Sequence, residues 1–273
     1  MAVTISDLPD LSSDYSLHDD NITYFNENGH VLLRAVCSST EIAPYREAIV
    51  NAVKNHNHEA RPIEQRDTYG KAFLQTMNLW TVDEKVKRFT LASRFAKIAA
   101  SLMGVESVRL YHDQALFKEA GGGHTPWHQD FFYWPLDTSK TVTLWMPLVD
   151  ATSDMGTLKF ASGSHKAGYL GPLEISDASE QFFDELVKMM GFPLFESGNM
   201  KAGDVSFHAG TTLHNAPANK STRNREVMTI IYFADGTKIA EPDNPYRTAD
   251  LKTWLPGLKP GDLAASELNP LIR

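Results

Sequence analysis

Apolar positions recur at helical spacing in the first part of the chain and at alternate positions further on. Ser38 and Glu41 stand at the spacing of a reciprocal helix cap. Ile42, Tyr45, Ile49, Val50 and Val53 then follow on one helical face. Between Ser93 and Met103, Phe95, Ile98, Ala99 and Leu102 share a face, and Gly104 stops the helix. From Val105 onward the pattern becomes that of strands. Val108, Leu110 and Leu116 alternate with polar positions, as do Val142, Leu144, Met146 and Leu148. Gly203–Phe207 is short and apolar, and Glu226–Phe233 is rich in β-branched residues. One helix interrupts the strands, with Phe182, Phe183, Leu186, Met189 and Met190 as its apolar stripe and Gly191 as its stop. Strands without regular βαβ alternation predict an antiparallel barrel or sandwich with helices packed outside it. No internal repeat or low-complexity linker marks a boundary, so residues 1–273 read as a single domain.

The 26 Lys+Arg against 34 Asp+Glu give a net charge of −8, and no Lys/Arg block stands out. That balance argues against nucleic acid or an anionic membrane surface as the main partner. A small anionic ligand stays possible, because one arginine can bind it. The lone cysteine, Cys37, excludes an internal disulfide and a Cys-rich zinc site, and fits a reducing compartment. No run approaches the roughly 18 apolar residues of a membrane span. The stretch MAVTISDLPDLSSDY lacks the apolar core of a secretion signal, and Leu271-Ile272-Arg273 is not a peroxisomal address. The expectation is a cytoplasmic protein that acts on a small molecule. Oligomeric state has no signal in the sequence.

Chemistry concentrates in Gly121-Gly122-Gly123-His124-Thr125-Pro126-Trp127-His128-Gln129-Asp130. The glycines let the backbone turn closely, and Pro126 and Trp127 stiffen the approach to His128. In an extended chain, residues i and i+2 face the same side, so His128 and Asp130 can aim an imidazole nitrogen and a carboxylate oxygen at one point. The best third donor is His214, which follows the short strand opened by Gly203-Asp204. Two imidazoles and one carboxylate on one face leave adjacent positions open, the arrangement suited to non-haem Fe(II) and dioxygen. Zinc on the same donors stays open, although no H-E-x-x-H helix is present. Arg225 begins the apolar strand that follows, where its guanidinium can pair with a carboxylate beside the metal. A 2-oxo dicarboxylic acid fits, its oxo-acid end on iron and its far carboxylate on arginine. Arg223 shares the strand parity and competes for that role. His18, His30, His56 and His58 lie in polar stretches and read as solvated loop residues. His208 can contact substrate or cap its strand. Phe131, Phe132, Tyr133 and Trp134 can shield the reaction and pack an apolar substrate, or simply close a barrel mouth.

These residues resemble the phytanoyl-CoA dioxygenase family of Fe(II)/2-oxoglutarate-dependent oxygenases, which includes ectoine hydroxylase. The matching pieces are Trp127-His128-Gln129-Asp130, Leu158-Lys159-Phe160-Ala161-Ser162-Gly163-Ser164-His165-Lys166, Gly203-Asp204 with His214, and Arg225. The likeness runs from about Asn21 to the C-terminal Pro/Gly-rich stretch and is strongest between Gln114 and Phe233. It implies a mainly β fold with flanking helices around a double-stranded β-helix, a cupin-like jelly roll. It implies Fe(II) on His128, Asp130 and His214, with 2-oxoglutarate and O2 as co-substrates and the 2-oxoglutarate C5 carboxylate on Arg225.

The resemblance also places Gln114, Lys118 and Trp145 at the co-substrate pocket and Trp134 toward the substrate, while His165 falls in a structural turn motif. Three positions depart from the family pattern. Ala216 stands where a serine is common, Gln75 stands near the place of a family lysine, and the loop before Trp145 is one residue shorter. Gln75 can supply pocket polarity instead. With Asp130 present, hydroxylation with release of succinate and CO2 is expected rather than halogenation, and desaturation, cyclisation and epimerisation stay open. A metal-dependent cupin-type isomerase without 2-oxoglutarate and a non-catalytic binding barrel are the rival readings. The absence of a basic patch for CoA points to a free small metabolite.

Overall fold

The computed structural model describes residues 4–272; residues 1–3 and Arg273, the ends of the single-domain expectation and of the C-terminal tripeptide, lie outside the described residues. The strands are β1 (His30–Leu33), β2 (Leu74–Met77), β3 (Val108–Phe117), β4 (Thr125–His128), β5 (Thr141–Pro147), β6 (Lys159–Ala161), β7 (Leu194–Glu196), β8 (Val205–Ala209), β9 (His214–Ala216), β10 (Val227–Ala234) and β11 (Leu271–Ile272). The helices are α1 (Asp19–Asn28), α2 (Ser39–His56), α3 (Thr68–Ala72), α4 (Glu84–Thr90), α5 (Ser93–Met103), α6 (Asp177–Met190) and α7 (Pro245–Trp254). The larger sheet runs β1-β8-β5-β10-β3-β11 with β2 also beside β3, and the smaller runs β4-β9-β6-β7. Every named pairing is antiparallel, as the alternating pattern predicts.

The central strand β5 is buried along its whole length, so both of its faces have work to do. Val142, Leu144 and Met146 face outward into the main core with Phe207, Met228, Ile230 and Tyr232. That core is closed by α2, α4 and α5 through Ile42, Tyr45, Phe89, Phe95 and Leu102. The capping box at Ser38 and Glu41 forms as expected, and Gly104 ends α5 in the left-handed region at φ 64°. Thr143 and Trp145 point the other way, between the sheets. A β-bulge between Ile231 and Tyr232 of β10, opposite His112 and Leu110, inserts Tyr111 as an extra residue of β3. Tyr111 thereby joins Trp134, Ile231 and Phe233 in a separate cluster under α7.

Two expectations are corrected. α6 spans the predicted residues, but it buries Ser179, Phe183 and Val187, an interval of four that seats it on Trp127 and Leu213. Phe182 and Met189 lie off that face and are 45% and 76% exposed; Met190, in the last turn, is exposed as well. His30 is buried rather than solvated. It begins β1 in the larger sheet, stacks on Phe160 of the smaller one at 4.5 Å, and bonds Ser162 Oγ through Nε2 at 2.8 Å. Burial pushes its imidazole down to about 3, so it bridges the two sheets as a neutral ring.

Gly203-Asp204 fixes where β8 starts. Gly203 has φ +88°, and a Cβ there would sit 2.2 Å from the Cys37 carbonyl oxygen. The buried Asp204 carboxylate accepts from Ala35 N–H (2.8 Å) and Lys201 N–H (2.8 Å), and pairs with Arg34 (2.7 Å). Truncation would strand two backbone donors, each costing about 1–3 kcal/mol where buried. Urea unfolding of Asp204→Ala is therefore expected to show a loss of about 2–4 kcal/mol. A loss within error of zero would contradict this role.

Candidate metal centre

β4 ends at His128, Gln129 stays extended at φ −116° and ψ 128°, and a short 3-10 turn begins at Asp130. The i, i+2 relation therefore holds although Asp130 lies past the strand. Gln129 points to the opposite side and anchors the turn. Its amide donates to Thr211 O and Gly168 O and accepts from Leu170 N–H. β4 pairs with β9 so that His128 stands opposite His214, with ring centroids 4.1 Å apart.

Both imidazoles are oriented by backbone carbonyls. His128 Nδ1 lies 2.8 Å from Pro126 O, and His214 Nδ1 lies 3.0 Å from Thr212 O. A carbonyl can only accept, so each Nδ1 carries a proton, and in the neutral ring each Nε2 presents a lone pair. The two Nε2 atoms lie 3.5 and 3.7 Å from Asp130 Oδ1. Burial opposes the Asp130 charge, but its carboxyl is held well below the usual range, with His208 Nε2 beside Oδ2 favouring the ionised form. Burial, helped by His128 and His208, keeps His214 well below the usual imidazole range. An ionised carboxylate and neutral imidazoles are the protonation states that bind a metal. The ligand atoms of these three residues all lie within 4.8 Å of one another, and among the described residues they form the one such group.

The second carboxylate oxygen is also tied down. Asp130 Oδ2 accepts from Thr143 Oγ1 at 2.7 Å and contacts His208 Nε2 at 3.2 Å. His208 is thus committed to Asp130 on the Oδ2 side, rather than to capping its strand. Thr143 is missed by the sequence reading. Its position on β5 between Val142 and Leu144 is the signal that would have marked it as inward-facing.

A cavity of about 270 Å³ opens on the triad. His128, Asp130, His214, Arg225, Gln114, Trp145, Trp134, Gln75 and His208 all border it. Lys118 and Phe132 do not. The Lys118 Nζ donates to Gly123 O and Thr125 Oγ1, and burial with Arg225 nearby pushes it down to about 6. The Phe132 ring packs on Tyr133 and Tyr246 instead. Of the two arginines, Arg223 is exposed and Arg225 is 1% exposed. Arg225 stacks over Trp145 at 5.1 Å and donates to Gly156 O, yet its buried Nε has no partner. Among the described residues it forms no ion pair, and burial pushes it down to about 9, still charged at neutral pH. Gly156 has φ +78°, and a Cβ there would lie 2.1 Å from Pro217 O, so only glycine brings its carbonyl to Arg225.

Residues 25–227 match the family model for phytanoyl-CoA dioxygenase (PhyH). The chain belongs to the phytanoyl-CoA dioxygenase family. It is accordingly an enzyme of the non-haem iron/2-oxoglutarate dioxygenase class with a His-Asp-His facial triad. A phytanoyl-CoA dioxygenase of Arabidopsis thaliana is 24% identical over 263 residues, covering 83% of this chain and 92% of the relative. The non-haem α-ketoglutarate-dependent carbocyclase SnoK of nogalamycin biosynthesis is similar in structure, with a TM-score of 0.77 at 25% identity over 94% of this chain and 97% of its own. EctD from S. alaskensis, solved with 2-oxoglutarate and 5-hydroxyectoine, has a TM-score of 0.66 at 18% identity over 86% and 84%. These likenesses extend to the double-stranded β-helix. The PhyH match contains the triad and Arg225 but stops before α7. No helix among the described residues is long and apolar enough to cross a membrane.

Outer partners of a metal-bound carboxylate are typically worth about 10–100-fold in metal affinity. Thr143→Val keeps the side-chain shape and removes the hydroxyl. Titration with Co(II), followed by its visible spectrum, is expected to show binding weaker by about ten-fold or more. Unchanged affinity and spectrum would contradict the clamp.

Proposed function

We propose that this chain uses Fe(II) and 2-oxoglutarate to oxidise, by hydroxylation in the first instance, a C–H bond of a small organic molecule, releasing succinate and CO2. The observation that carries the reading is a triad and an unpaired, buried guanidinium bordering the same cavity. When bound, iron and 2-oxoglutarate would together supply dioxygen reduction and hydrogen abstraction.

His128, Asp130 and His214 would hold the metal from one side, and the donor set suits iron because it mixes imidazole with a hard oxygen and includes no thiolate. Arg225 fits the far carboxylate of 2-oxoglutarate. Its charge persists, its Nε lacks an acceptor, and Gly156 and Trp145 hold its plane. A metal-dependent isomerase that needs no 2-oxoglutarate would leave this buried charge without an anion, a costly arrangement. Trp145, Trp134 and Tyr133 exclude water and set the substrate's position. His208 and Thr143 keep Asp130 Oδ1 on the metal side.

The likeness to SnoK supports ring closure as the second outcome of the same chemistry. Mass spectrometry of the product separates the two: gain of one oxygen atom for hydroxylation, loss of two hydrogens for cyclisation.

The test is succinate release on incubation with Fe(II), 2-oxoglutarate and a panel of small metabolites. His128→Ala is expected to abolish it. Losing a charge-assisted contact of about 1.5–3 kcal/mol, Arg225→Gln is expected to raise the apparent KM for 2-oxoglutarate roughly 10- to 100-fold. Succinate release by His128→Ala, or an unaltered co-substrate requirement in Arg225→Gln, would overturn the reading.

A further inference from the structure

The register of the larger sheet gives the cavity a direction. Arg225 bridges Lys118 at one end, then Thr229 pairs Gln114, then Ile231 pairs both His112 and Thr143. Thr143 is the partner of Asp130, so the metal side chains stand at this last row. The bulged Tyr111 lies one step further from Arg225, and its hydroxyl donates to Asp250 Oδ2 at 2.9 Å. α7 brings Asp250 and Trp254 to this end, where both border the cavity.

We propose that this remote end, lined by Asp250, His112 and Trp254 with Tyr111 behind Asp250, recognises the molecule to be oxidised, and that it takes a small protonated amine carrying a neutral hydrogen-bond acceptor. Assignment of the opposite end to 2-oxoglutarate rests on the function proposed above.

Three observations converge on this class. First, the two ends differ in charge: Arg225 lies at one, and Asp250 is the acid bordering the other. No basic side chain among the described residues pairs with Asp250, and burial pushes its carboxyl up to about 7 although Tyr111 donates to it. An ammonium would supply the missing countercharge, and the aromatic Trp254 borders the same end of the cavity.

Second, His112 is 2% exposed and borders the cavity, yet no hydrogen bond to its Nε2 exists among the described residues. A chain of donors sets its tautomer. Tyr69 OH donates to Gln75 Oε1 (3.1 Å), Gln75 Nε2 to Gln114 Oε1 (2.7 Å), and Gln114 Nε2 faces His112 Nδ1 at 3.5 Å. Burial pushes the imidazole down to about 3, so it is neutral. Its remaining proton is on Nε2 and needs an acceptor from the ligand.

Third, an adjoining groove shares Tyr69, Tyr133 and Ile175 with the cavity and adds Asp67, Glu174 and Asp177, with no Lys, Arg or His in its lining. An acidic approach enriches cations and repels anions such as acyl-CoA.

Calorimetry under anaerobic conditions, on protein saturated with Fe(II) and 2-oxoglutarate, tests this with 2-(4-methoxyphenyl)ethylamine, 2-(4-methoxyphenyl)ethanol and 3-(4-methoxyphenyl)propionate, whose ether oxygen is the neutral acceptor in all three. The amine is expected to bind at least about ten-fold more tightly than either other probe, and Asp250→Asn is expected to bring the three within about two-fold. The surface variant Glu174→Gln preserves the fold and is expected to weaken amine binding about two-fold and to reduce its salt dependence. Equal binding of amine and alcohol, preference for the carboxylate, or a preference that survives in Asp250→Asn would overturn the proposal. Failure of 2-oxoglutarate to bind would instead sink the oxygenase reading, and the Asp250-dependent preference would still be measurable without it.

Discussion

Two backbone carbonyls decide what this centre can be. Pro126 O and Thr212 O take the Nδ1 protons of His128 and His214, so in the neutral rings both Nε2 lone pairs turn toward Asp130 Oδ1. Three electron-rich atoms crowded together repel one another unless a cation lies among them. Each carbonyl belongs to the residue two positions before its histidine. The constraint is therefore local, and it is satisfied once β4 and β9 form their pair.

Everything around that core keeps the donors from relaxing apart. Gln129 secures the turn between two ligands with contacts to backbone groups on two separate stretches, Gly168–Leu170 and Thr211. Thr143 and His208 hold Asp130 from the larger sheet, so its carboxylate ties the facing layers together at the metal centre. Gly203-Asp204 sets the start of the strand that carries His208. Arg225, further along the cavity, is held ready by Gly156 and Trp145 with its charge uncompensated. Burying an uncompensated charge costs stability, and an anionic ligand would recover part of that cost.

The triad was legible because its geometry follows from chain parity and from one histidine behind a recognisable turn. The outer face of β5 was equally plain, since Val142, Leu144 and Met146 alternate without interruption. Thr143, Gln129 and Asp250 were not picked out, because each acts through a partner distant in the chain, and no periodicity encodes such a meeting. His30 was misjudged for the same reason: a polar neighbourhood in sequence became a stacked site between sheets. In α6 the apolar residues outnumber those the smaller sheet can cover, so composition alone could not say that Phe183 and Val187 are the buried ones. Lys118 sits at the expected strand position, but its side chain turns into the glycine loop, a choice made by Gly123 and Thr125 rather than by strand parity.

If 2-oxoglutarate binds partly through the iron, the two strengthen each other's binding by the same factor. Anaerobic calorimetry of 2-oxoglutarate, with and without Fe(II), measures that coupling directly. The expected result is one molecule per chain, bound at least about ten-fold more tightly when the metal is present. Identical affinity in the two titrations would contradict the shared centre on which the whole interpretation rests.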